Sequence, residues 1–231
     1  MRMSTIVLSI GGSILTPEND EKPSDYIGSL AALLKRLSNE NKLYVVVGGG
    51  PLARKYIGIA RNLGGNEITL DGIGIASTRL NARLLITALG EFAYPSPVET
   101  YEEALVGAQK FPVVVMGGTH PGHTTDAVSV MLAEFIGADK FINATSVDGV
   151  YTADPAVDSS ATKLDKLTPN KLIEITFQSA AQAGPHIVID PLAARIIKRS
   201  GITTYVLHGR DLEALENAII GKSFNGSIVE E

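Results

Sequence analysis

The sequence predicts an α/β protein: a three-layer αβα sandwich around a mostly parallel central sheet. Three observations predict it. Short apolar runs alternate with stretches of helical periodicity along nearly the whole chain, the pattern of strand–helix–strand units. The runs Thr5–Ile10, Leu43–Val47 and Val113–Met116 are largely apolar without alternation, so they read as strands covered on both faces. Each of them is followed at once by glycines. In open α/β sheets the loops at the carboxyl ends of the strands are where ligands bind.

Thr5–Ile10 is the first strand, and Gly11-Gly12-Ser13 behind it is a place where backbone N–H groups can wrap a phosphate. Pro17–Asp25 is a polar excursion, and Tyr26–Leu37 has helical spacing. The second strand, Leu43–Val47, ends in Gly48-Gly49-Gly50, and Leu52–Arg61 continues as a helix. Three successive glycines lose much backbone entropy on folding, so a plain turn explains them poorly. Arg54 falls about one turn into that helix, within reach of a phosphate held by the triple glycine. Asp71 lies between Gly64-Gly65 and Gly72-Ile73-Gly74, ahead of a helix expected over Ile75–Leu89. It reads either as the cap of that helix or as an acceptor for a pair of sugar hydroxyls. Thr100–Ala108 is a helix, and Val113–Met116 is the third strand.

The stretch Gly117–Ala127 joins that strand to the helix-like Val128–Ile136. It is longer than the roughly 2–6 residues such a connection usually needs. Thr119, Thr124 and Thr125 supply hydroxyls and His120 and His123 imidazoles; the glycines, including Gly122 after Pro121, let backbone approach a ligand. The following helix turns its positive end back toward the loop. This is a set of donors suited to an anion, above all a phosphate. Metal ligation by the two histidines ranks below that, since only Asp126 adds a ligand type nearby.

In the second half Lys140–Ala144 is a strand, followed by Thr145-Ser146-Val147-Asp148-Gly149-Val150-Tyr151-Thr152-Ala153-Asp154-Pro155. Asp148-Gly149 between two valines signals a hairpin. Tyr151 reads either as a ring for stacking on a base or as a packing aromatic. Asp158–Lys171 is polar and expected to be mobile, and Ile187–Ile189 is expected as a short strand. Asp190-Pro191 opens a helix with Asp as N-cap. Thr203–His208 is a strand, Leu212–Ile220 a helix closed by Gly221, and Gly226–Val229 an expected edge strand.

The chain has 231 residues, 45% hydrophobic, with 23 glycines, no cysteine and a formal net charge of −5. That size fits one large domain or two lobes. The charge argues against a broad nucleic-acid face, so an anionic ligand must be held by local donors. Without cysteine there is no disulfide framework, thiolate metal site or thiol nucleophile. No secretory pattern opens the chain and no apolar run has bilayer length, so a cytoplasmic protein without a membrane span is expected.

Ser9–Ser13, Gly48–Arg54, Gly117–Asp126 and Val147–Pro155, in that order, resemble the motifs of the amino-acid kinase superfamily and, within it, of archaeal-type UMP kinases. The resemblance covers nearly the full length, residues 1–231. It implies an acceptor-binding lobe over about 1–135, an ATP-binding lobe over about 136–231, and transfer of the γ-phosphate of ATP to UMP for pyrimidine nucleotide synthesis. It also implies Mg²⁺ carried by ATP and a homohexamer. The alternatives are a non-catalytic nucleotide or oxyanion binder, or a kinase for another small phosphate ester. By resemblance, Gly12 and Ser13 contact the ATP phosphates with Gly11 shaping the turn, and Gly50 and Arg54 face the transferred group. Thr145, Ser146, Tyr151 and Asp154 form the ATP nucleoside pocket. Gly49 faces the UMP phosphate, Asp71 the ribose, and Thr119, His120, Pro121, Gly122, His123, Thr124 and Thr125 wrap the UMP. Arg54 and Asp126 are the catalytic pair, Asp126 as an organising aspartate. Two positions depart from the family pattern: Ser9 stands where most relatives have lysine, and Ser146 where close relatives often have asparagine.

Overall fold

The computed structural model describes residues 3–18, 22–155, 157–180 and 188–231. Its core is a seven-stranded sheet. The first five strands in spatial order are β3 (Val113–Met116), β2 (Asn41–Val47), β1 (Ser4–Ile10), β4 (Lys140–Thr145) and β8 (Thr204–His208), all parallel. β9 (Ser227–Val229) then pairs antiparallel to β8, and β7 (Lys166–Leu167) lies parallel to β9. The chain runs outward from β1 to β3, then crosses back to place β4 on the other side of β1. The strand order therefore reverses between β1 and β4, where open sheets leave a crevice for ligands.

The period of two along each strand feeds two separate cores. Ile6, Leu8 and Ile10 of β1, Leu43, Val45 and Val47 of β2, and Ile142 and Ala144 of β4 face one side. There they pack on α2 (Pro23–Leu37), α4 (Glu67–Leu89) and α9 (Leu212–Ile220). Val7, Tyr44, Val46 and Phe141 face the other side, under α5 (Tyr101–Gly107), α6 (Thr125–Ile136), α7 (Pro169–Ala180) and α8 (Pro191–Ser200). The three-layer sandwich expected from the sequence is thus the fold. The short α1 (Gly12–Leu15) follows β1 directly, and α3 (Gly50–Asn62) lies outside against α4, burying only Ala53.

Several local expectations are corrected. The helix expected over Ile75–Leu89 begins at Glu67, with Asn66 as its N-cap accepting the Thr69 N–H at 3.0 Å. Asp71 is therefore inside α4 and not its cap. Glycine in a helix costs about 1 kcal/mol relative to alanine, and Gly72 and Gly74 are outweighed by burial of Leu70, Leu85 and Leu89. Asp148-Gly149 does not join a hairpin. β5 (Val150–Tyr151) pairs instead with β6 (Lys163–Leu164), and the Val150 N–H donates to Ser227 Oγ at 2.7 Å. Asp158–Lys171 holds β6, β7 and the first turn of α7. Gly226–Val229 is not an edge, since β7 covers β9. Ile187 lies outside the described residues, and Val188 and Ile189 form a bend instead of a strand. Asp190 does cap α8, its Oδ1 accepting Leu192 and Ala193 N–H at 2.8 and 3.1 Å.

Candidate active site

Three loops meet at the carboxyl edge of the sheet. The Gly11 N–H donates to the Ala144 carbonyl at 3.0 Å and the Gly48 N–H to the Ile10 carbonyl at 2.9 Å. The loops after β1 and β2 then press backbone to backbone. A Cβ on Gly12 would lie 2.2 Å from Gly50 N, and one on Gly50, whose φ is +60°, would lie 2.4 Å from the Gly12 carbonyl carbon. No side chain fits at either position, which is the physical content of the two glycine motifs.

Beyond this contact opens a cleft of about 320 Å³ lined by Gly49, Gly50, Arg54, Asp71, His120, His123, Thr124 and Thr125, with Ala53, Ile57 and Ile75 as apolar walls. Most of the predicted acceptor residues are thereby brought together with Arg54. The Arg54 Nη1 reaches Ser13 Oγ at 3.3 Å, so the guanidinium spans the loops after β1 and β2. Asp71 accepts the Gly122 N–H at 2.7 Å and so pins the tip of the loop after β3 to α4. Thr119 faces a separate hollow beside Tyr101 and Met131, which His120 and His123 also line. Pro121 and Gly122 are exposed at the tip.

Asp126 sits in the first turn of α6, whose N-cap Thr124 accepts the Ala127 N–H at 3.0 Å. Ser9 on β1 and Asn143 on β4 are cross-strand neighbours on the face toward α6, and both are buried. Ser9 Oγ donates to Asp126 Oδ1 at 3.1 Å, and Asn143 also hydrogen-bonds this carboxylate. Asp126 retains some exposed surface, yet its carboxyl group is enclosed. Burial pushes its pKa up to about 7, helped by the charge of Asp190 and opposed by the bonds from Ser9 and Asn143. Ser9 thus places a buried hydroxyl directly against the Asp126 carboxylate.

A second hollow lies at the far side of β4. Val147, Val150, Tyr151, Ala153, Asp154 and Pro155 form one wall; Leu172, Ile175 and Thr176 of α7, with Val188 and Ile189, form the other. Tyr151 and Asp154 both line it, with the Tyr151 hydroxyl donating to Asp148 Oδ1 at 2.8 Å. Thr145 and Ser146 do not line it. Thr145 ends β4, one residue past the carbonyl that holds Gly11. Because β1 stands between β2 and β4, the Gly11–Ser13 loop lies between the two hollows. Among the described residues no group of three His, Cys, Asp or Glu side chains is placed to hold a metal ion.

A model of the amino acid kinase family matches residues 4–208. The chain belongs to the amino acid kinase family. It is 48% identical over 229 residues to a uridylate kinase of Methanoculleus marisnigri, covering 99% of this chain and 97% of that one. It also superposes on the crystal structure of uridylate kinase from Archaeoglobus fulgidus with a TM-score of 0.87 at 48% identity, covering 98% and 100% of the two chains. The UMP kinase of Bacillus anthracis, at 20% identity and a TM-score of 0.80, shares the fold.

In this amino acid kinase four site residues escaped the motif reading. Asn143 had a signal, a lone amide in a buried strand. Asp190 caps α8, and it also accepts the Thr124 hydroxyl, tying the loop after β3 to α8. Thr78 and Asn81 on α4 had none, because their partners are backbone groups distant in sequence.

Proposed function

We propose that the protein transfers the γ-phosphoryl group of ATP to UMP, giving UDP for pyrimidine nucleotide synthesis. The observation that carries this reading is the cleft in which Gly49, Gly50 and Arg54 meet Asp71 and the loop from His120 to Thr125. The names of the relatives support UMP as the acceptor. The first lobe, about residues 1–135, takes the acceptor, and the second, about 136–231, takes ATP, with its base in the hollow beside Tyr151. Gly12, Ser13 and Gly50 hold the ATP phosphates at the junction. Asp71 accepts from the ribose hydroxyls.

Phosphoryl transfer depends on positioning and charge neutralisation more than on a covalent partner. A UMP phosphate oxygen forms the new bond to γ-phosphorus, the bond from γ-phosphorus to the β-bridging oxygen breaks, and ADP leaves. The attacking oxygen is already ionised at neutral pH, so no general base is needed. Arg54 spreads positive charge over the transferring oxygens, and Asp126 orients the site. Asp126 and Asp190 offer the hard carboxylate oxygens that Mg²⁺ takes alongside phosphates, so the residues present fit that ion. Bound Mg²⁺ supplies further charge neutralisation. The net charge of −5 argues against a nucleic-acid partner, and among the described residues no helix is long and apolar enough to cross a membrane. A homohexamer in the cytoplasm completes the reading. Exposed Tyr56 and Ile59 on α3, Leu63 just past its end, and Ile68, Leu80 and Leu84 on α4 supply apolar surface for assembly.

The test is ADP release from ATP with UMP, CMP, dUMP or isopentenyl phosphate as acceptor. UMP is expected to give the fastest turnover. ATP binding without ADP release on any acceptor would make the protein a nucleotide binder, and release with isopentenyl phosphate alone would move the acceptor to another class.

A further inference from the structure

One turn of α4 holds both loops of the cleft. Asn81, 1% exposed, donates from Nδ2 to the Gly48 carbonyl at 2.9 Å and to the Gly49 carbonyl at 3.1 Å. Thr78, three residues earlier and so on the same face, accepts the Gly118 N–H at Oγ1 over 2.7 Å. Arg79 reaches the Gly118 carbonyl from Nη2 at 3.4 Å while its Nη1 pairs with Glu99 at 2.7 Å. Gly118 lies past the end of β3, so these α4 side chains take the place of a sheet partner. The fit is close: a Cβ on Gly117 would lie 2.4 Å from Thr78 Oγ1 and 2.9 Å from Arg79 N.

The loop after β2 and the loop after β3 therefore share one reference frame, a rigid helical turn. We propose that Thr78 and Asn81 are positioning residues that set the separation between the triple glycine and the acceptor loop, and so the in-line approach of the acceptor phosphate to the transferred group. This rests on the acceptor reading of the cleft given above. Misplacing reacting groups by about 1 Å costs on the order of 10²-fold in rate. A side-chain hydrogen bond that fixes a loop carbonyl or amide is the means to avoid it.

The experiment compares Thr78→Val, which keeps the shape and removes the hydroxyl, with Thr78→Ser, which keeps the hydroxyl. Asn81→Leu serves as an independent second variant. For each, kcat, the KM values for UMP and ATP, and the melting temperature are measured. Thr78→Val and Asn81→Leu are expected to lower kcat by about 10–100-fold with the KM for ATP little changed, and Thr78→Ser to restore most of the rate. Val and Leu variants that melt lower yet keep the wild-type kcat would reduce both residues to structural supports and overturn the proposal. Wild-type protein that fails to release ADP with UMP would instead overturn the acceptor reading, whatever the variants do.

Discussion

Asp126→Asn stabilises the protein at pH 8, leaves it unchanged near pH 4, and lowers turnover by about 10–100-fold, the cost of a loosened site. The carboxyl group has a pKa of about 7 in the folded chain against 3.8 for a free aspartate, first because it is buried and then because Asp190 stands near. Between those two values the folded state holds a proton that the unfolded chain has released. Stability therefore falls as pH rises from about 4 through 7, and the full loss is present above 7. A shift of that size corresponds to on the order of 4 kcal/mol. Asparagine keeps the shape and cannot ionise, so the variant loses this slope. Melting temperatures of both proteins from pH 4 to pH 8 measure it. Parallel curves would show that Asp126 is not strained by its burial, and unchanged turnover would remove it from the transfer site. The carboxylate is thus kept at a cost to stability, which is the mark of a functional residue more than of a structural one.

Arg54→Ala lowers kcat on the order of 10²-fold or more, as expected for removal of a preorganised donor to developing charge. The reason lies at Ser9. Ser9 offers an uncharged hydroxyl committed to Asp126, and Arg54 is the lone lysine or arginine among the described residues lining the cleft. It sits one turn into α3, past the triple glycine, and bridges to Ser13. Arg54→Lys restores part of the loss, because a point charge lacks the planar fork of the guanidinium. Steady-state kinetics with ATP and UMP check this. A variant with unchanged kcat and a raised KM would assign Arg54 to uniform binding instead.

The parallel core was legible because buried strands such as Leu43–Val47 leave an unbroken apolar run with glycine directly behind it. The cleft was legible for the same reason: backbone packed on backbone demands glycine, and a demand that strict shows in the letters. What the sequence hid is long-range and backbone-directed. Asp71 looked like a cap because Gly72 and Gly74 resemble turn residues, and only burial of the flanking leucines carries α4 through them. The wall of the second hollow comes from α7, whose start lies inside a polar stretch. The Val150 N–H at the start of β5 is taken by Ser227, more than seventy residues away. Asn81 grips carbonyl oxygens that every residue type possesses, so no partner residue type marks the contact.

The central claim is that the glycine loops after β1 and β2 and the loop from Gly117 to Thr125 hold two nucleotides end to end, phosphate against phosphate. The most direct measurement is inhibition by a bisubstrate compound in which five phosphates join adenosine to uridine. Inhibition competitive with both ATP and UMP, with an affinity above that of either nucleotide, is the predicted result. Competition with one substrate alone, or binding no tighter than a single nucleotide, would mean that the two hollows do not form one continuous site.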